Sequence, residues 1–181
     1  MQHRAFEEFA ARLAEVDGQA HLVAGWAGAA DLARGLAAGG SVVVSPSLAA
    51  AAPELIDALG EQAQVGSSDS AVAGAAEAAV GMVLGDLAIV ETGSVLSSED
   101  ELADRAVSML TPTLIQVAPA ASLVSSLDDA ADWLSQRAGR AGYAALITGP
   151  SRTADIERSL TIGIQGPAVV HVALLDDGGE A

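Results

Sequence analysis

The chain has 181 residues, half of them apolar, and carries 24 acidic residues against eight arginines for a formal charge of −16. It contains no cysteine, lysine or asparagine, which excludes disulfides, thiolate nucleophiles, cysteine-ligated iron–sulfur clusters, lysine Schiff bases and a P-loop lysine. The negative field opposes nucleic-acid phosphates and anionic lipid alike, and the apolar runs stop short of a membrane-spanning length.

At this length a single domain over 1–181 is expected. The N-terminal MQHRAFEEFAARLAEVDG has charges throughout and no secretory signal pattern, so a cytoplasmic location is expected. Phe6, Phe9, Leu13 and Val16 recur at helical spacing, and Asp17-Gly18 ends that helix. A second helix spans Ala29 to Ala38 and stops at Gly39-Gly40. Val42 to Val44 reads as a short buried strand, and Ser45-Pro46-Ser47 turns into a helix through Leu59. An alanine-rich helix is predicted from Ala71 to Leu84, then a strand at Leu87 to Val90 and a turn at Thr92-Gly93 leading into Val95-Leu96 in a hairpin-like unit. Ser98 and Glu101 form a capping-box pattern for a helix carrying Leu102, Ala106 and Leu110. Thr113 to Val117 is a strand; Leu123, Leu127, Ala131 and Leu134 mark a helix; Tyr143 to Ile147 and Val169 to Leu175 are strands. This alternation predicts a three-layer α/β fold, a mostly parallel sheet with helices on both faces. The tail 176–180 is polar.

Three segments have residues suited to chemistry. Gly149-Pro150-Ser151-Arg152-Thr153-Ala154-Asp155-Ile156-Glu157 follows a strand and is expected to open a helix, where free amides attract anions. Ser151 and Thr153 read equally as helix caps or ligand donors, and Arg152 is a bidentate donor suited to a carboxylate or phosphate. Glu91, followed by Thr92 and Gly93, closes an apolar run; a carboxylate there is a base, nucleophile or acceptor, or else a solvated strand end paired with Arg152 or Arg105. Thr161 to Pro167 is a loop in which Gly163 and Gly166 permit close approach of a ligand or a neighbour. His171 reads as a hydrogen-bonded core residue, and His3 and His21 have no metal-ligand spacing with it.

Three stretches, DLAIVETGSVLSS, Arg105-x-x-Ser108-x-Leu110-x-Pro112 and LITGPSRTADIERSLTIGIQGPAVVHVALLDD, together resemble the LUD domain of lactate-utilization protein C, the LutC/YkgG family. The resemblance is strongest over residues 70–176, and GPSRTADIE is its most specific string; Ser94 after the ETG is a mild departure. It implies the NagB/RpiA/CoA-transferase-like fold and a place in the oxidation of L-lactate to pyruvate. It also implies iron–sulfur clusters held by LutA-like and LutB-like partner proteins and none in this chain. Under that reading Arg152 and its adjacent amides hold a small carboxylate. The alternative is an independent CoA- or nucleotide-binding enzyme, in which Glu91, in a string similar to the Glu-x-Gly of CoA-transferases, attacks an acyl-CoA.

Overall fold

Short runs of β-branched and other apolar residues alternate with stretches of helical periodicity, and the computed structural model converts that alternation into two sheets and a set of covering helices. The structure describes residues 2–67, 71–137, 142–153 and 161–176. In chain order the elements are α1 (Gln2–Ala14), β1 (Gln19–Ala24), α2 (Gly25–Ala37), β2 (Val42–Val44), α3 (Pro46–Ala51), α4 (Pro53–Leu59) and β3 (Ala63–Val65). There follow α5 (Ala71–Glu77), β4 (Val80–Leu84), β5 (Leu87–Ile89), β6 (Ser94–Ser98), α6 (Leu102–Leu110), β7 (Thr113–Pro119) and β8 (Leu123–Val124). The chain then forms α7 (Leu127–Gln136), β9 (Ala144–Ile147), β10 (Arg152–Thr153), β11 (Thr161–Ile162) and β12 (Val169–Asp176).

Six strands form a wholly parallel sheet in the order β1-β12-β7-β4-β2-β3. Its four inner strands are buried on both faces, as a parallel sheet between helices requires, while the edge strands β1 and β3 are partly exposed. On one face Val42, Val44, Met82, Ile115, Val117 and Ala173 pack against Ala29, Ala30 and Ala33 of α2, Leu48 of α3 and Leu55 of α4. On the other, Val43, Val83, Leu114 and Val170 meet Val107 of α6, while Ala118, Val172 and Leu174 meet Phe9 and Leu13 of α1. Phe9 and Leu13 are fully buried, and each contributes roughly 1.5–3 kcal/mol by leaving water. The expected three-layer α/β architecture is therefore present.

A second, four-stranded sheet, β8-β5-β6-β9, was not legible as a separate unit. The strand around Tyr143–Ile147 belongs to it and runs antiparallel to β6, outside the parallel sheet. β4 passes through Gly85-Asp86 into β5, and β7 leads through a short turn at Ala120–Ser122 into β8. The carboxyl ends of two central strands thus feed the second sheet, which occupies the position usually left open to a ligand.

Several boundaries differ from the sequence expectation. The predicted helix from Ala71 to Leu84 ends at Glu77, and Val80–Leu84 is a central strand; a short apolar run buried on both sides has no period that separates strand from helix. The predicted helix through Leu59 is split at Pro53, which lacks an N–H and restricts Ala52. The Ser98–Glu101 box does not form: Ser98 ends β6, and its amide and hydroxyl both donate to Asp86 at 2.6 and 2.7 Å. Leu123 is a strand residue, and the capping box of α7 is built by Ser126 and Asp129. The helix expected at 151–157 does not open at Ser151, because Arg152 and Thr153 pair with Ile162 and Thr161 in a β-hairpin. Ala154, Asp155, Ile156 and Glu157, like the tail beyond Asp176, lie outside the described residues.

Candidate functional site

β6 pairs antiparallel with both β5 and β9, so the turn at Glu91–Gly93 and the turn at Thr148–Ser151 fall at the same end of the second sheet. The hydroxyls of Ser94 and Thr148, 2.6 Å apart, join them. Gly93 and Gly149 have φ of 65° and 69°, in the left-handed region that favours glycine. A Cβ on Gly93 would lie 2.5 Å from the Leu13 nitrogen, and one on Gly149 would lie 2.6 Å from the Val16 carbonyl oxygen. Both glycines therefore seat the end of α1. Arg152 completes that contact through an ion pair with Asp17.

Glu91 is exposed, and its Oε2 accepts from the Leu127 amide at 3.0 Å, which satisfies a free N–H in the first turn of α7. Neither arginine considered from the sequence is its partner: Arg152 pairs with Asp17, and Arg105 donates to the Glu99 carbonyl at 3.2 Å and lies 5.3 Å from the Tyr143 ring centre. Glu91 borders a cleft of about 720 Å³ together with Glu8, Arg12, Glu15 and Ser125. Three carboxylates face one arginine there, and Arg12 is already paired with Glu15 at 3.2 Å, so the cleft disfavours an anion. Thr92 and Gly93 are not among its lining residues; the Thr92 hydroxyl is buried with no partner among the described residues.

A second groove, about 440 Å³, runs along β9 and is closed by Gly149-Pro150-Ser151 on one side, Gln165-Gly166-Pro167 on another and Ser108-Met109 below. It gathers Gly149, Ser151 and Gly166 of the expected site residues. Its lining has no charged side chain but offers the hydroxyls of Ser108, Tyr143, Thr148 and Ser151 and the Gln165 amide. The Ser151 amide donates to the Pro167 carbonyl and the Ser151 carbonyl accepts from Gly163, both at 2.9 Å. The Ser151 main chain is thus consumed by the Gly163–Pro167 loop, and Gly163 serves that loop. Arginines stand at both ends of the β9 segment: Arg105 over Tyr143 and Arg152 next to Ser151.

Sequence reasoning missed the polar cluster behind this groove. Glu99 is 1% exposed, and both carboxylate oxygens lack a hydrogen-bond donor among the described residues. Its amide donates to the Tyr143 carbonyl at 2.8 Å. Burial pushes its carboxyl up to about 7, with Asp104 adding to the rise and the Ser108 hydroxyl and Arg105 opposing it. Asp104, also 1% exposed, accepts from the Ser47 amide and hydroxyl at 3.0 and 2.7 Å. Gln116 reaches from the parallel sheet to the Ser97 hydroxyl at 3.3 Å. Glu99 sits in an acidic run, Glu-Asp-Glu, whose composition reads as a solvated helix start, and only the resemblance string containing Arg105 and Ser108 pointed to this neighbourhood. On the opposite face, His171 is 3% exposed, as expected of a core histidine, and faces His21.

A family model for the LUD domain matches residues 6–175. The chain belongs to the LUD domain family. This LUD domain is 35% identical over 108 residues to lactate utilization protein C of Bacillus velezensis, covering 57% of this chain and 44% of that protein. It is 32% identical over 107 residues to lactate utilization protein C of Bacillus subtilis, covering 57% and 45%. The match thus spans less than half the length of these relatives. A DUF162 family protein of Deinococcus radiodurans has the same fold, with a TM-score of 0.71 over 97% of this chain and 99% of that one at 19% identity. Among the described residues no helix is long and apolar enough to cross a membrane, and no three histidine or acidic side chains group as a metal site.

Proposed function

We propose that this LUD domain acts in lactate utilization by binding a small hydroxy acid or its keto product in the groove along β9. Likeness to lactate utilization protein C motivates the substrate class. The observation that carries the site is the character of the groove: in a chain of charge −16 its lining is free of acids, rich in hydroxyls and flanked by Arg105 and Arg152. A small carboxylate needs such a neutral, donor-rich pocket with a cation near its edge. In this reading the redox chemistry belongs to iron–sulfur partner proteins, because this chain has no cysteine to ligate a cluster. The cytoplasm is where such a subunit would work.

The test is L-lactate-dependent dye reduction in cells lacking this gene, restored with wild type, Gln165→Ala or Arg152→Ala. Restoration by wild type alone supports the reading. Undiminished activity in the deletion strain removes the lactate role, and full activity of both variants removes the groove.

A second reading rests on Glu91 on the wall of the 720 Å³ cleft, whose carboxylates repel phosphate, so that it would admit the uncharged acyl-pantetheine end of a CoA with the phosphates left outside. Glu91 would attack the thioester carbonyl, forming an acyl anhydride and releasing the CoA thiolate. An acyl adduct on Glu91 by mass spectrometry supports it; no adduct with several acyl-CoA donors discards it.

A further inference from the structure

A buried carboxyl without a hydrogen-bond donor is costly to keep, because nothing replaces the water it has lost. Glu99 is such a group, and the structure around it is specific. Its amide is held by the Tyr143 carbonyl and its carbonyl by Arg105, so its backbone is fixed on both sides of the Cα. Ser108 is 3% exposed and forms part of the groove wall, and its hydroxyl, which is not hydrogen-bonded to the Glu99 carboxyl in this structure, opposes the rise of that carboxyl's pKa. That hydroxyl also reaches the Arg105 carbonyl at 3.1 Å, so it has two acceptors to choose between. Ser108 therefore stands at the groove wall beside an otherwise isolated acid, its proton held by the Arg105 carbonyl with Glu99 as the alternative acceptor.

Among the described residues the charged groups that face Glu99 are Asp104 and Arg105, both from α6. Asp104 accepts two hydrogen bonds from Ser47. Arg105 is turned partly outward, over the Tyr143 ring. An anion entering the groove adds a further negative charge on the Ser108 side and so favours the protonated form of Glu99.

We infer that the groove takes its anionic ligand together with a proton from solvent, which is stored on Glu99 and coupled to the ligand through the Ser108 hydroxyl. This rests on the groove binding a small carboxylate. Glu99 is on this account a positioning and proton-storing residue, since Ser108 is the group that faces the ligand. Because the ordinary state of Glu99 near neutral pH is balanced between its two forms, the coupling operates in the physiological range. Affinity should fall as pH rises above about 7, by up to about tenfold per pH unit for one linked proton.

The experiment has two arms on the intact chain. In the first, infrared difference spectra between pH 5.5 and 8.5 of wild type and Glu99→Gln should show a protonated-carboxyl band that disappears with a midpoint near neutrality and is absent from the variant. A wild-type spectrum without it overturns the inference. In the second, L-lactate, pyruvate and glycolate are titrated calorimetrically at pH 6, 7 and 8 in two buffers of different ionisation enthalpy. Proton uptake on binding in wild type, lost in Glu99→Gln and weakened in Ser108→Ala, supports the coupling. Binding without uptake, or with the same pH dependence in Glu99→Gln, overturns the inference and leaves the carboxylate site standing. Absence of binding for all three probes overturns both.

Discussion

The rings of His21 and His171, 150 residues apart in sequence, meet with Nε2 of one 2.9 Å from Nδ1 of the other. β1 and β12 are parallel neighbours in the six-stranded sheet, and their register places the two side chains diagonally on one face. His171 Nε2 is buried without a partner among the described residues. An N–H there would be an unsatisfied donor, so the favourable tautomer has the proton on His171 Nδ1, donated to His21 Nε2. Burial, with the neighbouring His21 contributing, holds the His171 pKa down at about 4, and burial lowers that of His21.

The contribution of His171 to stability should therefore fall on acidification. Above pH 6.5 His171 is neutral in both states. Below it the unfolded chain takes up a proton that the folded chain refuses, so this contribution is lost between about pH 6.5 and 4, up to about 3 kcal/mol. His171→Leu should remove that contribution and uncover the opposite slope of Glu99, so that in urea denaturation the stability of the variant falls as pH rises from 5 to 7. An unchanged slope would mean that His171 gains solvent or a partner in solution.

Glu99 works in the opposite sense. Its folded pKa is raised from 4.5 to about 7, so its contribution is complete below pH 4.5 and is lost as pH rises through 7, on the order of 3 kcal/mol. The two slopes nearly cancel in the wild type. Glu99→Gln should then be more stable than wild type at pH 8 and show the uncovered histidine slope below pH 6.5, while Glu99→Gln/His171→Leu should be almost flat. Parallel profiles for wild type and Glu99→Gln would show that Glu99 does not titrate in this window.

Gly93 and Gly149 were expected to approach a ligand, and the structure gives that space to α1. Alanine at either position combines a left-handed φ with a Cβ against α1 backbone at 2.5 or 2.6 Å. Each should lower stability by about 2 kcal/mol or more. The pair should be less than additive, because once one displaces the end of α1 the other meets less resistance. Thermal unfolding of the two singles and the double measures this.

Periodicity accounts for the elements that were legible in the sequence. The apolar stripes of α1, α6 and α7, the strands β2, β7 and β12, and the β5–β6 hairpin all announce themselves by spacing or by turn residues, although the starts of α6 and α7 do not. Val80–Leu84 did not, because it comes after an alanine-rich helix and is buried on both faces, leaving no polar side to set a period. The second sheet was hidden for a different reason: pairing between β6 and β9 joins segments some fifty residues apart, which no local pattern encodes. The glycine turns were visible as candidate site elements, but their division between seating α1 and lining the groove depends on the path of α1. Glu99 was concealed by its acidic neighbours Asp100 and Glu101, which are exposed where it is buried.

Arg152 offers the cleanest separation of structure from function. It joins Asp17 across 135 residues of sequence, with Asp17 two-thirds exposed, and ion pairs of that kind contribute about 0–1 kcal/mol. Asp17→Ala and Arg152→Ala should each shift the unfolding midpoint little, and a double-mutant cycle should return a coupling below about 1 kcal/mol. If Arg152 serves the groove as a cation at its edge, Arg152→Ala should abolish restoration of lactate-dependent dye reduction while Asp17→Ala, which frees the guanidinium, retains it. Equal loss in both variants would assign the residue to anchoring α1, and equal retention would remove it from the site.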